Sequence, residues 1–180
     1  MVSVKNVSKS FGDKKVLESF SHDFEGLSCV MGGSGVGKTT LARIIAGLTK
    51  PDFGSVSISG HLSFMFQEDR LLLRESMITN LLFVRNDPQR ARELLTALGL
   101  TEHNKRTQDL SGGMRRRVAL ARTLMLNHDV LLLDEPFKGL DQALKQSALD
   151  LIKHQNKTTI IITHDISDAK YLDARLVFVN

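Results

Sequence analysis

The sequence has a single cysteine, Cys29, in 180 residues, so no internal disulfide can form. Cys29 lies in an apolar run and reads as a small core residue suited to a reducing compartment. Met1-Val2-Ser3-Val4-Lys5 lacks an apolar leader core, so no secretory signal is expected. No apolar run approaches the roughly 18 residues of a membrane span, so any membrane association is expected to run through a partner. The net charge of +4 is too small to argue for nucleic acid and only favours an anionic ligand. Internal repeats, low-complexity segments and linkers are also missing, and the length fits one domain, 1–180.

What is present centres on Gly32-Gly33-Ser34-Gly35-Val36-Gly37-Lys38-Thr39-Thr40, a full match to G-x-x-x-x-G-K-[ST]. Leu27 to Met31 reads as a buried strand before it. Leu41 to Ala46 reads as a helix after it, stopped at Gly47. That context marks a phosphate-binding loop: glycines let phosphate oxygens approach the backbone, and the helix N-terminus adds positive potential. Lys38 can reach the β- and γ-phosphates, and the Thr39 hydroxyl can ligate Mg²⁺.

Before the loop, Val2, Val4 and Val7 predict a strand, Phe11 to Lys15 a turn, and Val16 to Phe24 further strand, together a small antiparallel sheet. After the loop helix, Pro51 to Gly54 predicts a turn, Val56 to Ser59 an edge strand, and Leu62 to Phe66 a strand ending at Gln67-Glu68-Asp69. Residues 71–127 predict a mostly helical segment. Within it, Ser76 to Val84 has helical spacing, Pro88 opens a helix that ends at Gly99, and Thr101 to Asp109 is a polar connection. Leu110-Ser111-Gly112-Gly113-Met114 then opens a helix whose Arg115-Arg116-Arg117 run reads as a solvated face. Leu81, Leu82 and Phe83 together offer more apolar surface than one helix face buries, and this is the expected docking surface.

Asp129 to Leu133 is continuously apolar after its first residue, which predicts a parallel strand buried on both faces, ending at Asp134-Glu135. Asp134 takes the place of the acid that helps hold Mg²⁺ in phosphate-loop enzymes. Glu135 is placed to orient or deprotonate a water. Gln142 to His154 predicts a helix, Thr158 to Ile162 a second buried strand leading to Thr163-His164-Asp165, and Ile166 to Leu172 a short helix before a last strand.

In this order the chain resembles the ATP-binding cassette (ABC) ATPases over nearly its whole length. Gly32 to Thr39 resembles the Walker A loop, Gln67 the Q-loop, Leu110 to Met114 the signature and Val130 to Glu135 Walker B. Gly139-Leu140-Asp141 resembles the D-loop, His164 the H-loop and Phe11 the adenine-stacking aromatic. Gln67 to Leu72 further resembles import ATPases of the nitrate, sulfonate and taurine type.

The resemblance implies an α/β fold, with a P-loop NTPase core (1–70 and 128–180) on a parallel sheet, a small N-terminal antiparallel β region and an inserted helical subdomain (71–127). It implies ATP and Mg²⁺ as cofactors. Nucleotide would be bound by Phe11, Gly32, Gly33, Ser34, Gly35, Val36, Gly37, Lys38, Thr39 and Thr40, with Ser111, Gly112, Gly113 and Asp141 contributing across a head-to-tail dimer. Thr39, Gln67 and Asp134 would serve the metal, and Glu135, His164 and Gln67 the chemistry. Expected partners are transmembrane permease subunits, a second cassette and a solute-binding protein, with no nucleic acid, on the cytoplasmic face of the membrane.

The sequence departs from the family at Met114, where glutamine is usual, and at Lys138-Gly139, where Ser-Ala is usual. The region before Gly32 is short, and the chain ends soon after His164, so no C-terminal regulatory domain is expected. Two alternatives stay open: a soluble, non-transport ABC ATPase, and a degenerate subunit that binds ATP with little turnover. A small-molecule P-loop kinase would leave the Ser-Gly-Gly signature unexplained.

Overall fold

The computed structural model describes residues 1–179. The chain forms two units, Met1–Phe64 with His128–Glu135 and Asn156–Asn180, and Met65–Asn127 with Pro136–Gln155.

The first unit holds two sheets. Strands β1 (Val2–Phe11), β2 (Lys14–Phe24) and β4 (Phe53–Ile58) form an antiparallel sheet in the order β2-β1-β4. The valine spacing of β1 explains its shape. Val2 and Val4 obey the strand period of two, but the next buried valine is Val7, three residues on. The register shifts there: Val4 pairs with His22 and Val7 with Phe20, three steps on one strand against two on the other. Asn6, at φ 50°, takes up the extra residue as a β-bulge, a left-handed conformation that asparagine tolerates. The bulge returns the valines to the buried face. Residues 14–24 form one continuous strand, and β4 begins at Phe53, opposite Ser8, where a turn was expected. Pairing with β1 overrides the local turn chemistry of Pro51 to Gly54.

The second sheet has the order β5-β6-β7-β3-β8, from β3 (Leu27–Met31), β5 (Leu62–Met65), β6 (Val130–Asp134), β7 (Thr158–Ile162) and β8 (Arg175–Phe178). β3 runs parallel to both β7 and β8, and β6 runs parallel to β7. Every residue of β6 is buried, as its continuous hydrophobicity requires. Helix α1 (Lys38–Ile45) buries Leu41, Ile44 and Ile45 in a core shared with Val2, Val4 and Val7 of β1 and Val30, Leu132, Ile160 and Ile162 of the parallel strands. Helix α6 (Ile166–Leu172) packs beside β3. The α/β fold with both parallel and antiparallel sheets is thus as expected.

In the second unit, α2 (Met77–Leu82), α3 (Pro88–Ala97) and α4 (Gly112–Met125) pack on one another, and α5 (Gln142–Lys153) belongs to the same unit. Ser76 caps α2, and Asp87 caps α3 with Pro88 in its first turn. Ala91, Leu94, Leu95 and Leu98 are buried as their spacing predicts. Three expectations for this unit need correction. The stretch 101–109 is not simply a polar connection: Thr107–Asp109 forms a 3-10 turn, and the buried Thr107 hydroxyl donates to the Leu72 carbonyl at 2.7 Å. Leu81 is fully buried in the core while Phe83 is 76% exposed, so the apolar cluster expected for docking is divided between interior and surface. Finally, the Arg115 to Arg117 run is not a solvated face, because Arg116 is only 5% exposed.

Candidate functional site

In parallel sheets, ligand-binding groups gather beyond the carboxyl ends of the strands. Three strand ends meet there. β3 leads into the Gly32 to Lys38 loop, its neighbour β7 leads into Thr163 and His164, and the next strand, β6, ends at Asp134 and Glu135. The loops stay in register through backbone hydrogen bonds beyond the strands. The Thr163 N–H donates to the Val30 carbonyl at 3.3 Å, and the Glu135 N–H to the Ile162 carbonyl at 3.0 Å.

The glycine loop is tightly packed at both ends. A Cβ on Gly37, which has φ 108°, would lie 2.7 Å from the Val16 carbonyl oxygen. One on Gly32 would lie 2.5 Å from the Val179 carbonyl. Only glycine fits either place. Lys38 is 6% exposed, and its ammonium donates to the Gly32 and Gly33 carbonyls at 2.9 and 2.7 Å. These bonds hold a positive charge inside the loop.

Among the described residues, helix α1 differs from the other five α-helices in its cap. Side chains cap α2 (Ser76), α3 (Asp87), α4 (Ser111), α5 (Asp141) and α6 (Asp165). The cap of α1 is Gly37, with no side-chain hydrogen bond. Its first amides therefore keep their donors for another acceptor, and a phosphate is the acceptor that suits them.

At β6, the Asp134 carboxylate is 1% exposed. The adjacent Glu135 has φ 50°, an uncommon conformation for a non-glycine residue. That turn brings its Oε1 to 3.0 Å from His164 Nε2. An ionised carboxylate only accepts, so Nε2 carries the proton in this contact. Behind His164, the Thr163 hydroxyl donates to the buried Asp168 carboxylate at 2.6 Å and accepts from the Asp165 N–H at 3.1 Å. The sequence reading missed this pair. The i, i+5 spacing of a threonine at a strand end and an acid in the following helix was its only local sign.

Phe11 ends β1 and is 55% exposed, with the Lys9 ammonium 5.4 Å from its ring centre. Asp52 fixes that corner by accepting from Lys9 Nζ and the Ser10 N–H, both at 2.7 Å. The donor set of Thr39 hydroxyl and Asp134 carboxylate is hard oxygen, the chemistry that Mg²⁺ takes. Among the described residues no group of three or more His, Cys, Asp or Glu side chains is poised to hold a metal.

Gln67, Ser111, Gly112, Gly113 and Asp141 lie in the other unit. The Ser111 Oγ accepts from the Met114 N–H at 3.2 Å, which leaves its own O–H as a donor. A Cβ on Gly113 would lie 2.7 Å from the Gly139 carbonyl oxygen, so the 139–141 turn packs directly on the start of α4. Asp141 caps α5 through the Leu144 N–H at 2.9 Å.

Comparison with known proteins gives one family. The model of the ABC transporter family matches residues 19–138. The chain is 44% identical over 161 residues to the aliphatic sulfonates import ATP-binding protein SsuB 1 of Rhodococcus jostii, covering 83% of this chain and 66% of that protein. It is 36% identical over 209 residues to the sulfate/thiosulfate import ATP-binding protein CysA of Pseudomonas syringae pv. tomato, covering 99% of this chain and 64% of that one. The chain therefore spans just under two thirds of the length of these relatives. Among solved structures, it superposes with a TM-score of 0.89, at 28% identity and over 100% of its length, on a dimeric post-hydrolysis ATP-binding cassette bound to ADP and Pi (94% of that chain). No helix among the described residues is long and apolar enough to cross a membrane.

Proposed function

The chain belongs to the ABC transporter family, and from that premise we propose that it is the ATP-binding, ATP-hydrolysing subunit of an importer that drives a separate membrane permease. The observation that carries this reading is the Glu135–His164 contact at 3.0 Å, at the same sheet edge as the glycine loop and its uncapped helix. One half of a phosphoryl-transfer site and a base beside it stand on one framework.

Mg²⁺ bound there would supply positive charge to offset the charge that develops on the phosphates during transfer. The loop amides and Lys38 bind and orient the phosphates, and Thr39, Asp134 and Gln67 would serve the metal. Phe11 offers its exposed ring to the base. Glu135 takes the proton of the attacking water, and His164 fixes the orientation of that carboxylate and reaches the γ-phosphate. This is catalysis by positioning and charge. Ser111, Gly112, Gly113 and Asp141 complete the site of a second copy in a head-to-tail pair. The dimeric cassettes among the structural relatives support that pairing. The importer names of the sequence relatives favour import over a soluble, non-transport role. A solute-binding protein delivering substrate to the permease, and a position on the inner face of the membrane, follow from the same reading.

The test is phosphate release and light scattering with Mg-ATP, comparing the wild type with Glu135→Gln. The wild type should turn over and stay monomeric or weakly associated. Glu135→Gln should bind ATP, stop turning over and accumulate as a dimer. Unchanged phosphate release removes Glu135 as the base, and a variant that stays monomeric at saturating ATP counts against the paired site.

A further inference from the structure

The segment 66–70 turns its carbonyls toward two guanidinium groups of one helix. Arg116 on α4 donates to the Phe66 carbonyl at 2.8 Å, the Gln67 carbonyl at 3.0 Å and the Asp69 Oδ1 at 3.2 Å. One turn and a half further along the same helix, Arg122 donates to the Arg70 carbonyl at 2.9 Å and the Asp69 carbonyl at 3.1 Å. Four of five consecutive carbonyls thus end on α4. Arg70, at φ 46°, folds the segment back so that its own guanidinium sits 3.7 Å from the centre of the Phe66 ring. The segment is closed on itself and fastened to the helix.

A buried guanidinium is costly unless it is fully engaged, and Arg116 is 5% exposed. All three contacts fall on its Nη1, and a lysine ammonium, one bond nearer the backbone on a flexible stem, does not place its donors there. The other end of α4 is the signature: Ser111 caps it, and Gly112 and Gly113 form its first turn. One rigid helix therefore carries the signature at its start and the peptide unit of Gln67 along its flank.

We infer that Arg116 is a positioning residue: it locks the Gln67 backbone to the signature helix, so that Gln67 and Ser111 shift as one body when nucleotide is bound. This rests on the reading of Gln67 as part of the hydrolytic site. It goes beyond that reading by naming what holds Gln67 and what it moves with. Nothing in the motif spacing assigns Arg116 a part in the reaction.

The test is a double-mutant cycle on steady-state ATP hydrolysis by the full chain, using Gln67→Ala, Arg116→Lys and the pair. Arg116→Lys keeps the charge and the stem, so it preserves folding better than an apolar replacement, and circular dichroism checks that it does. Alone, it should lower kcat about tenfold, the effect of misplacing a positioned group, with the KM for ATP within about twofold. Hydrogen exchange of residues 66–70 should speed up relative to wild type. In the Gln67→Ala background the same substitution should have no further effect on kcat, because the group it positions is gone. Independent, multiplying losses would make Arg116 a purely structural residue and overturn the inference. A wild-type kcat for Arg116→Lys would overturn it too. If Gln67→Ala keeps full activity the inference falls with the role of Gln67, while the proposed ATPase stands as long as turnover still depends on Lys38 and Glu135. Should Arg116→Lys fail to fold, Asp69→Asn enters the same cycle, since it weakens one of the three contacts without touching the buried cation.

Discussion

Replacing Thr163 by valine removes one hydroxyl from behind His164 and changes little else in shape. Two bonds go: the 2.6 Å bond to the Asp168 carboxylate, and the 3.1 Å bond from the Asp165 N–H. The first is buried and charge-assisted, and its loss should cost about 1.5–3 kcal/mol. The second is only partly buried, so water can replace the hydroxyl, and its loss should add about 0.5–1 kcal/mol. The sum is about 2–4 kcal/mol. With a urea m-value of about 2–3 kcal/mol/M for a chain of this size, the unfolding midpoint should fall by about 1 M. The sequence holds no tryptophan, so far-UV circular dichroism is the probe.

A second measurement separates stability from positioning. Thr163 precedes His164 and its hydroxyl ties down Asp165 after it, so the variant frees the histidine on both sides. ATP turnover of the folded variant should drop about tenfold, by the general sensitivity of catalysis to small misplacements. Affinity for Mg-ATP should hold, because the glycine loop is untouched. Thr163→Ser keeps the hydroxyl and should restore both midpoint and turnover. A valine variant with an unmoved midpoint would refute the energetic argument. One that loses stability but hydrolyses ATP normally would refute the link to His164.

Three further outcomes are expected. Lys38→Ala should weaken Mg-ATP binding at least about tenfold by calorimetry, because a poorly solvated charge held by the Gly32 and Gly33 carbonyls is lost; unchanged affinity would take Lys38 out of the site. Burial, and next the charge of Asp168, push the Cys29 thiol up from its ordinary 9.0 to about 12. The native thiol should therefore resist iodoacetamide at pH 8 and react in urea. The same shift has a stability consequence: above pH 9.0 the unfolded chain ionises first, so the contribution of this group is intact below that pH and is lost as pH rises toward about 12, a loss that Cys29→Ala should abolish. Phe83→Asp should fold normally and uncouple a reconstituted permease, whereas Leu81→Asp should unfold its unit; a folded, fully coupled Phe83→Asp would move the docking surface elsewhere.

The parts of the molecule legible in the sequence are those where one local requirement chooses the residues. The Gly32 to Lys38 loop needs glycines because Val16 and Val179 crowd it, and the β6 run needs unbroken hydrophobicity because both faces are covered. Helix caps at Ser76 and Asp87 are local for the same reason. What stayed hidden depends on partners distant in the chain. The strand start at Phe53 is decided by β1, some 45 residues away in sequence. The burial of Thr107 is decided by the carbonyls of Leu72 and Glu75.

The arginine run shows how far local reasoning could have gone. Three consecutive helical residues span about 200° of the helix surface, so they cannot all share one solvated face. The run also begins at the end of the first turn of α4, at the helix end where the dipole disfavours a cation. No acid lies between Ser111 and Asn127 to offset them. Cations placed against a dipole, without acids on their own helix, require acceptors from other groups, and these are mostly backbone carbonyls, with the Asp69 carboxylate beside Arg116. Arg115 takes that of Leu110, Arg116 those of Phe66 and Gln67, and Arg117 those of Leu98 and Gly99. Desolvation accordingly lowers the pKa of Arg117, with the charge of Asp141 opposing it. The unfavourable placement was visible in the sequence; which carbonyls answer it was not, because the segments that supply them lie up to 50 residues away in the chain.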